Sequence, residues 1–284
     1  MNQLRRRGWV IIGLVAVAAL TLGVFGRFLG RKRLRFPYLA DALPAAQYQA
    51  LAAQPGWSAS QITVAPGIRL NGLVRRPQAP DAPWVLFYQG NDSDLLRVGQ
   101  AFLSRLAADK DWGLAVYAYR GYNSSDGVAR LPELAADAPE ILAQLSELEH
   151  VNRARVHLVG FSIGGHLAVR AMSVAAQLEP KPASLTLLAA VDDIVMVPRS
   201  FYQKLDRGDD FQTRPLLSAV PAPVLVVQGA ADEALVGPEQ GRAISKALGD
   251  RARYLELPGV GHIALLANAA SLSAVREFIT AHAK

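Results

Sequence analysis

The chain has 284 residues, 51% of them hydrophobic and 19% charged, and no cysteine. That composition excludes disulfides, thiol catalysis and cysteine-based metal sites, and leaves enough apolar material for one large α/β domain. The formal net charge of +6 is confined to one end: residues 1–35 carry eight Lys/Arg and no Asp/Glu, which leaves 22 basic against 24 acidic residues from 36 onward, with no cationic excess to suggest a nucleic-acid partner.

Residues 8–26 form an uncharged, mostly apolar run of 19 residues, preceded by Arg5-Arg6-Arg7 and followed by Arg27, Arg31-Lys32-Arg33 and Arg35. As a helix the run rises about 28 Å, close to the ~30 Å hydrocarbon thickness of a bilayer. A cleaved signal peptide would have a shorter apolar region ending in a small-x-small site. Here the best such site, Ala16-Val17-Ala18, lies inside the run. The expectation is an uncleaved single-pass anchor, in a bacterial inner membrane. Positive charge is nearly matched on the two flanks, so the positive-inside rule leaves open the side on which the rest of the chain lies.

Residues 36–59 contain Pro37, Pro44, Pro55 and Gly56 around a short helical stretch and read as a connector. The domain proper is expected over 60–284. It opens with a hairpin, 61–64 and 68–74, turned by Ala65-Pro66-Gly67. Strands and helices then alternate: strand 84–88, helix 95–108, strand 114–119, helix 132–149, strand 156–161, helix 163–178, strand 184–189, strand 224–228, helix 238–248, strand 253–257 and helix 272–282. Apolar strands separated by helices predict a mostly parallel central sheet flanked by helices on both faces. Residues 191–220 break the alternation, and a short lid is expected there.

The segment that carries chemistry is Gly160-Phe161-Ser162-Ile163-Gly164. A G-x-S-x-G pentapeptide is common in Gly-rich chains and can hold an incidental serine. Placed between an apolar strand and a helix it reads as a nucleophile elbow, with small residues required at Gly160, Gly164 and Gly165. Serine needs a base within hydrogen-bond reach. Of the five histidines, His157 falls in a strand, His166 in the helix after the elbow, turned away from the strand ends, and His150 and His282 near helix ends. His262, in Pro258-Gly259-Val260-Gly261-His262, sits in a loop after a late strand, where parallel sheets place their sites. It is the base candidate.

The imidazole needs a carboxylate to fix its tautomer. Asp232 follows a strand through Gly229-Ala230-Ala231 and completes the chain order Ser, Asp, His; Asp192 and Asp193, after the preceding strand, are the rivals. An oxyanion needs preorganised N–H groups. Ile163 supplies one, and the loop Tyr88-Gln89-Gly90-Asn91-Asp92 the other, through Asn91 with Gln89 second.

These motifs, in this order, resemble the α/β-hydrolase superfamily over roughly residues 60–284. The branch most similar contains lysophospholipase-like, monoacylglycerol-lipase-like and dienelactone-hydrolase-like enzymes, some of them membrane anchored. Phe87-Tyr88-Gln89-Gly90-Asn91 is similar to the family's H-G-N loop, and Tyr119-Arg120-Gly121-Tyr122-Asn123-Ser124-Ser125-Asp126-Gly127 to its Y-R-G-Y-G-x-S-x-G loop. Gln89 departs from the usual histidine and Asn123 from a glycine; asparagine tolerates left-handed backbone, so the second is mild. The resemblance implies the α/β-hydrolase fold and a serine hydrolase acting on a carboxylic ester, with a small-molecule or lipid-like acyl substrate and no metal or organic cofactor. Peptidase or acyltransferase chemistry on the same triad, and a non-catalytic binding protein on the same scaffold, are the alternatives.

Overall fold

The computed structural model describes residues 43–92, 94–149, 151–197, 211–233 and 235–283. The expected membrane span at 8–26, the first part of the connector, His150 and residues 198–210 of the expected lid lie outside the described residues. Among the described residues, no helix is long and apolar enough to cross a membrane.

After a short helix α1 (Ala45–Ala52), the hairpin β1 (Trp57–Ala65) and β2 (Ile68–Arg75) opens the sheet. β1 begins at Trp57 rather than 61, so part of the expected connector is strand. Its residues alternate between buried and open because it is an edge strand with one face on the core. The remaining elements are β3 (Trp84–Tyr88), α2 (Leu95–Leu106), β4 (Gly113–Tyr117), α3 (Leu131–Ser146), β5 (Val156–Phe161), α4 (Ile163–Ala175), β6 (Ser184–Leu188), β7 (Val224–Gly229), α5 (Pro238–Leu248), β8 (Ala252–Leu257) and α6 (Ala269–His282). Every residue of β3, β4, β5, β6 and β7 is buried, which is why these segments read as continuous apolar runs.

The eight strands lie in the order β1-β2-β4-β3-β5-β6-β7-β8. β1, β2 and β4 pair antiparallel, and β4 through β8 are parallel to their neighbours. From β3 the chain goes to β4 on one side, then crosses to β5 on the other. The loops leaving β3 and β5 therefore diverge, and a crevice opens between them at the carboxyl ends of the strands. This crevice positions the site.

Helix ends differ from the expectation where caps intervene. α6 starts three residues early because the Asn268 side chain accepts the Ser271 N–H (3.1 Å). α5 has the expected bounds, with proline at its first position and Gly249 at φ 58° beyond its end.

Candidate active site

Ser162 stands between β5 and α4 at φ 56°, ψ −122°, a region L-residues rarely occupy. Such a conformation costs on the order of 1–3 kcal/mol and persists only when its surroundings over-determine it. They do. The Ser162 N–H donates to the Leu188 carbonyl (3.0 Å), and the Ser162 carbonyl accepts from Gly165 (3.0 Å) and Val191 (3.1 Å). A Cβ on Gly160 would lie 2.5 Å from the Gly164 carbonyl oxygen, and one on Gly164 would lie 2.1 Å from that of Tyr88. These glycines are required by close approach. The Ser162 side chain caps nothing in α4, so its hydroxyl is left for other work.

His262 follows β8 at the start of a 3-10 turn, Ile263–Leu266. Its Nδ1 lies 2.6 Å from Asp232 Oδ2, and the Asp232 side chain is 1% exposed. The second carboxylate oxygen accepts the Val236 N–H (3.1 Å). The two loops are tied together: Ala230 N–H donates to the Leu257 carbonyl (2.9 Å) and Ala231 N–H to that of Val260 (3.1 Å). Gly229 permits this, since a Cβ there would lie 2.2 Å from the Val260 carbonyl oxygen. Gln228 Nε2 closes the aspartate loop on the Val236 carbonyl (2.9 Å). The Phe161 and His262 rings sit 4.7 Å apart, which holds the imidazole beside the elbow.

Ser162 and His262 line one cavity of about 260 Å³. Its apolar wall comes from Val98, Phe161, Leu235, Ile263 and Leu266, and residues 89–92 form its polar end. The loop after β3 comes close to the nucleophile position: a Cβ on Gly90 would lie 3.1 Å from Ser162 Cβ. No backbone carbonyl among the described residues accepts the N–H of Asn91 or of Ile163.

The structure thus brings Ser162, Asp232, His262, Asn91 and Gln89 to one crevice. The rival aspartates lie elsewhere. Asp192 Oδ2 is 2.6 Å from Arg214 Nε, and Asp192 and Asp193 border a separate recess with Gln212, Arg214 and Pro215. Burial pushes the Asp192 carboxyl up, against the pull of Arg214.

Of the other described histidines, His157 is fully buried with Nδ1 2.7 Å from Ser184 Oγ, and burial lowers its pKa to about 4. His166 stacks on Phe211 (3.8 Å) with Nδ1 3.1 Å from Thr213 Oγ1, and burial, with Arg170 adding, lowers its pKa to about 3. His282 Nδ1 meets the Phe278 carbonyl (2.8 Å).

Of the lid expected over 191–220, residues 191–197 and 211–220 are described. Residues 194–196 and 214–219 form 3-10 turns linked by an isolated bridge between Asp193 and Gln212. None of the described residues of 191–220 lines the Ser162 cavity. The Thr213 hydroxyl donates to the Val191 carbonyl (2.6 Å) and its N–H to that of Asp192 (2.7 Å), which ties the two described ends of the segment together.

Sequence reasoning gave no role to Tyr119 and Tyr122, although both stand in the Tyr-Arg-Gly-Tyr-Asn motif. The Tyr119 hydroxyl donates to the Gln89 carbonyl (2.9 Å), and that of Tyr122 to Asn91 Oδ1 (2.7 Å). The Gln89 side chain turns onto α2, where a Cβ on Gly99 would lie 2.7 Å from its Nε2. No group of His, Asp and Glu side chains among the described residues could hold a metal ion.

No family model matches the chain. It is 28% identical over 287 residues to the uncharacterized protein Rv2307c of Mycobacterium tuberculosis strain H37Rv, an alignment covering 99% of this chain and 98% of the relative. Among solved structures, the Pyrococcus furiosus esterase Pf2001 matches with a TM-score of 0.67 at 13% identity, over 90% of this chain and 99% of that one. The α/β-hydrolase GrgF from Penicillium sp. sh18 matches with a TM-score of 0.62 at 15% identity, over 80% and 98%. A Mycobacterium tuberculosis puromycin-hydrolyzing peptidase matches with 0.62 at 20%, over 80% of this chain and 39% of that one. These likenesses establish the fold: the chain adopts the α/β-hydrolase fold.

Proposed function

We propose that this chain is a serine hydrolase that cleaves a carboxylic ester through Ser162, His262 and Asp232. The observation that carries the reading is the 2.6 Å Asp232–His262 contact beside a strained serine at the end of β5. Aspartate on Nδ1 leaves Nε2 of His262 as the base. Ser162 Oγ attacks the ester carbonyl and gives its proton to His262. The N–H groups of Ile163 and Asn91 hold the oxyanion as charge moves onto it. Collapse of the tetrahedral intermediate expels the alcohol, which takes the proton from His262, and leaves the acyl group on Ser162. Water, deprotonated by His262, then attacks the acyl-enzyme and regenerates the serine. No metal or organic cofactor enters these steps.

The apolar segment 8–26 with its basic flanks supports a single-pass membrane anchor, which would keep the domain beside esters at a bilayer surface. The size of the cavity, about 260 Å³, favours a short acyl group over a long lipid chain, because pockets for drug-sized ligands run roughly 300–1,000 Å³. The esterase Pf2001, whose fold this chain shares over 90% of its length, is in keeping with an ester bond. Turnover of p-nitrophenyl esters of graded acyl length tests the reading. Butyrate should be cleaved at least about tenfold faster than palmitate, and Ser162→Ala should be inactive on both. Equal turnover of all chain lengths would contradict the short-acyl assignment, and an active Ser162→Ala would contradict the nucleophile.

A further inference from the structure

We propose that Tyr119 and Tyr122 are positioning residues for this hydrolysis: their hydroxyl groups hold residues 89–92 against the elbow, so that the Asn91 N–H keeps its aim at the developing oxyanion. The proposal rests on the serine-hydrolase reading above. Two tyrosines in one motif are almost completely buried, at 2% and 0% exposure, where phenylalanine would pack as well without a hydroxyl to satisfy. Both hydroxyls find their acceptors on the same short loop, the Gln89 carbonyl and Asn91 Oδ1.

For Asn91 this is a singular tie, since its Nδ2 has no partner among the described residues; the same is true of Gln89 Nε2. The phenols thus tie down two residues of the loop that should present the oxyanion donor, Gln89 and Asn91. A third contact fixes its exit, where Asn123 Oδ1 accepts the Leu96 N–H (3.1 Å) in the first turn of α2. The Asn123 that replaces a glycine of the family pattern therefore does something glycine could not.

The bracing segment is itself immobilised. Ser125 Oγ accepts the Asn71 N–H (2.9 Å) and donates to the Ala118 carbonyl (3.0 Å). Asp126 accepts the Arg69 N–H (3.0 Å), and Arg120 makes a two-pronged ion pair with the buried Asp137 of α3. Asn123 and Ser124 are held at φ 43° and 63°, left-handed conformations that such anchoring has to enforce. The two rings meet edge to face at 6.3 Å. Burial raises the pKa of both phenols, so they stay O–H donors across the working pH range.

Oxyanion donors work only within a few tenths of an ångström of their target, and losing one costs about 10²–10³ in kcat. Loosening a donor without deleting it should cost less, about tenfold. The test compares Tyr122→Phe and Tyr119→Phe with Tyr117→Phe, a comparably buried tyrosine of β4 whose hydroxyl meets Ser60 Oγ of β1 instead (3.2 Å). Each is measured for kcat and KM on p-nitrophenyl butyrate, for affinity to a short alkyl trifluoromethyl ketone, and for Tm. Ser162 Oγ adds to the ketone carbonyl and passes its proton to His262, and the ketone oxygen, its C=O π bond broken, becomes an alkoxide in the oxyanion position. In Tyr122→Phe, kcat and ketone affinity should fall together about tenfold with KM within about threefold, and Tyr119→Phe should follow in direction. Tyr117→Phe should lose Tm but neither kcat nor ketone affinity. Unchanged kcat and ketone affinity in both motif variants of an active enzyme would overturn the brace, as would an equal loss in Tyr117→Phe. A wild-type protein that neither cleaves the ester nor binds the ketone would overturn the serine-hydrolase reading itself, and the brace with it.

Discussion

Two regions at the carboxyl ends of the strands contain the same residue types and use them in opposite ways. Beside β7 and β8, an aspartate and a histidine meet each other, Asp232 on His262 at 2.6 Å, at the edge of an apolar cavity. Beyond β6, a histidine and an aspartate are each taken by another partner. His166 gives its Nδ1–H to Thr213, whose own hydroxyl hydrogen goes to the Val191 carbonyl, and Asp192 faces Arg214. A histidine bonded to a hydroxyl and stacked on Phe211 has nothing to stabilise its cation, and burial holds it neutral. A carboxylate facing an arginine has no proton-transfer partner. The comparison teaches that the pairing decides the chemistry, more than residue type or strand-end position.

The largest effect that could break this contrast comes from making one chemical change in both regions. Asp232→Asn keeps the shape but reverses the tautomer preference of His262, and should lower kcat by about 10⁴. Asp192→Asn should leave kcat within about threefold, because its carboxylate serves the local segment. Steady-state kinetics of both variants on the same ester would decide the matter; comparable losses would mean that the β6 region takes part in catalysis.

A smaller effect sharpens the other half of the contrast. His166 is neutral in the folded protein down to about pH 3, whereas an unfolded histidine titrates near its ordinary value of 6.5. Between those values the unfolded chain binds more protons, so stability falls as the pH drops from 6.5. At about 1.4 kcal/mol per pH unit, this one group removes roughly 3 kcal/mol by pH 4.5. His157, lowered to about 4 by burial, acts in the same direction. Urea unfolding at pH 7, 5.5 and 4.5 should show the loss, and His166→Gln should flatten its slope. An unchanged slope in that variant would mean that His166 is charged in the fold.

Much of this was legible in the chain, for identifiable reasons. The run 84–88 is apolar throughout because β3 is covered on both faces, and α5 is marked by Pro238 and Gly249 at its ends. The elbow announces itself because only glycine fits where Gly164 meets the Tyr88 carbonyl. The choice of Asp232 over Asp192 was harder, since the reason against Asp192 is an arginine 22 residues further on, brought close only by the fold. The tyrosine contacts to the loop after β3 span about 30 residues of sequence, and the Gln89 side chain turns onto Gly99, ten residues further on. No local pattern encodes them. The lid expected over 191–220 rests on a polar, irregular stretch, which shows only that a segment is not strand or helix, and its middle, 198–210, lies outside the described residues.

The serine-hydrolase proposal makes Ser162 the nucleophile, activated by its place at the elbow and by His262. Its most direct test is reaction of the protein with a fluorophosphonate, followed by mass mapping of the modified peptide. The account predicts a single phosphonylated residue, Ser162, with labelling lost in Ser162→Ala and strongly slowed in His262→Ala. Undiminished labelling of Ser162→Ala, or an adduct on another serine, would contradict it.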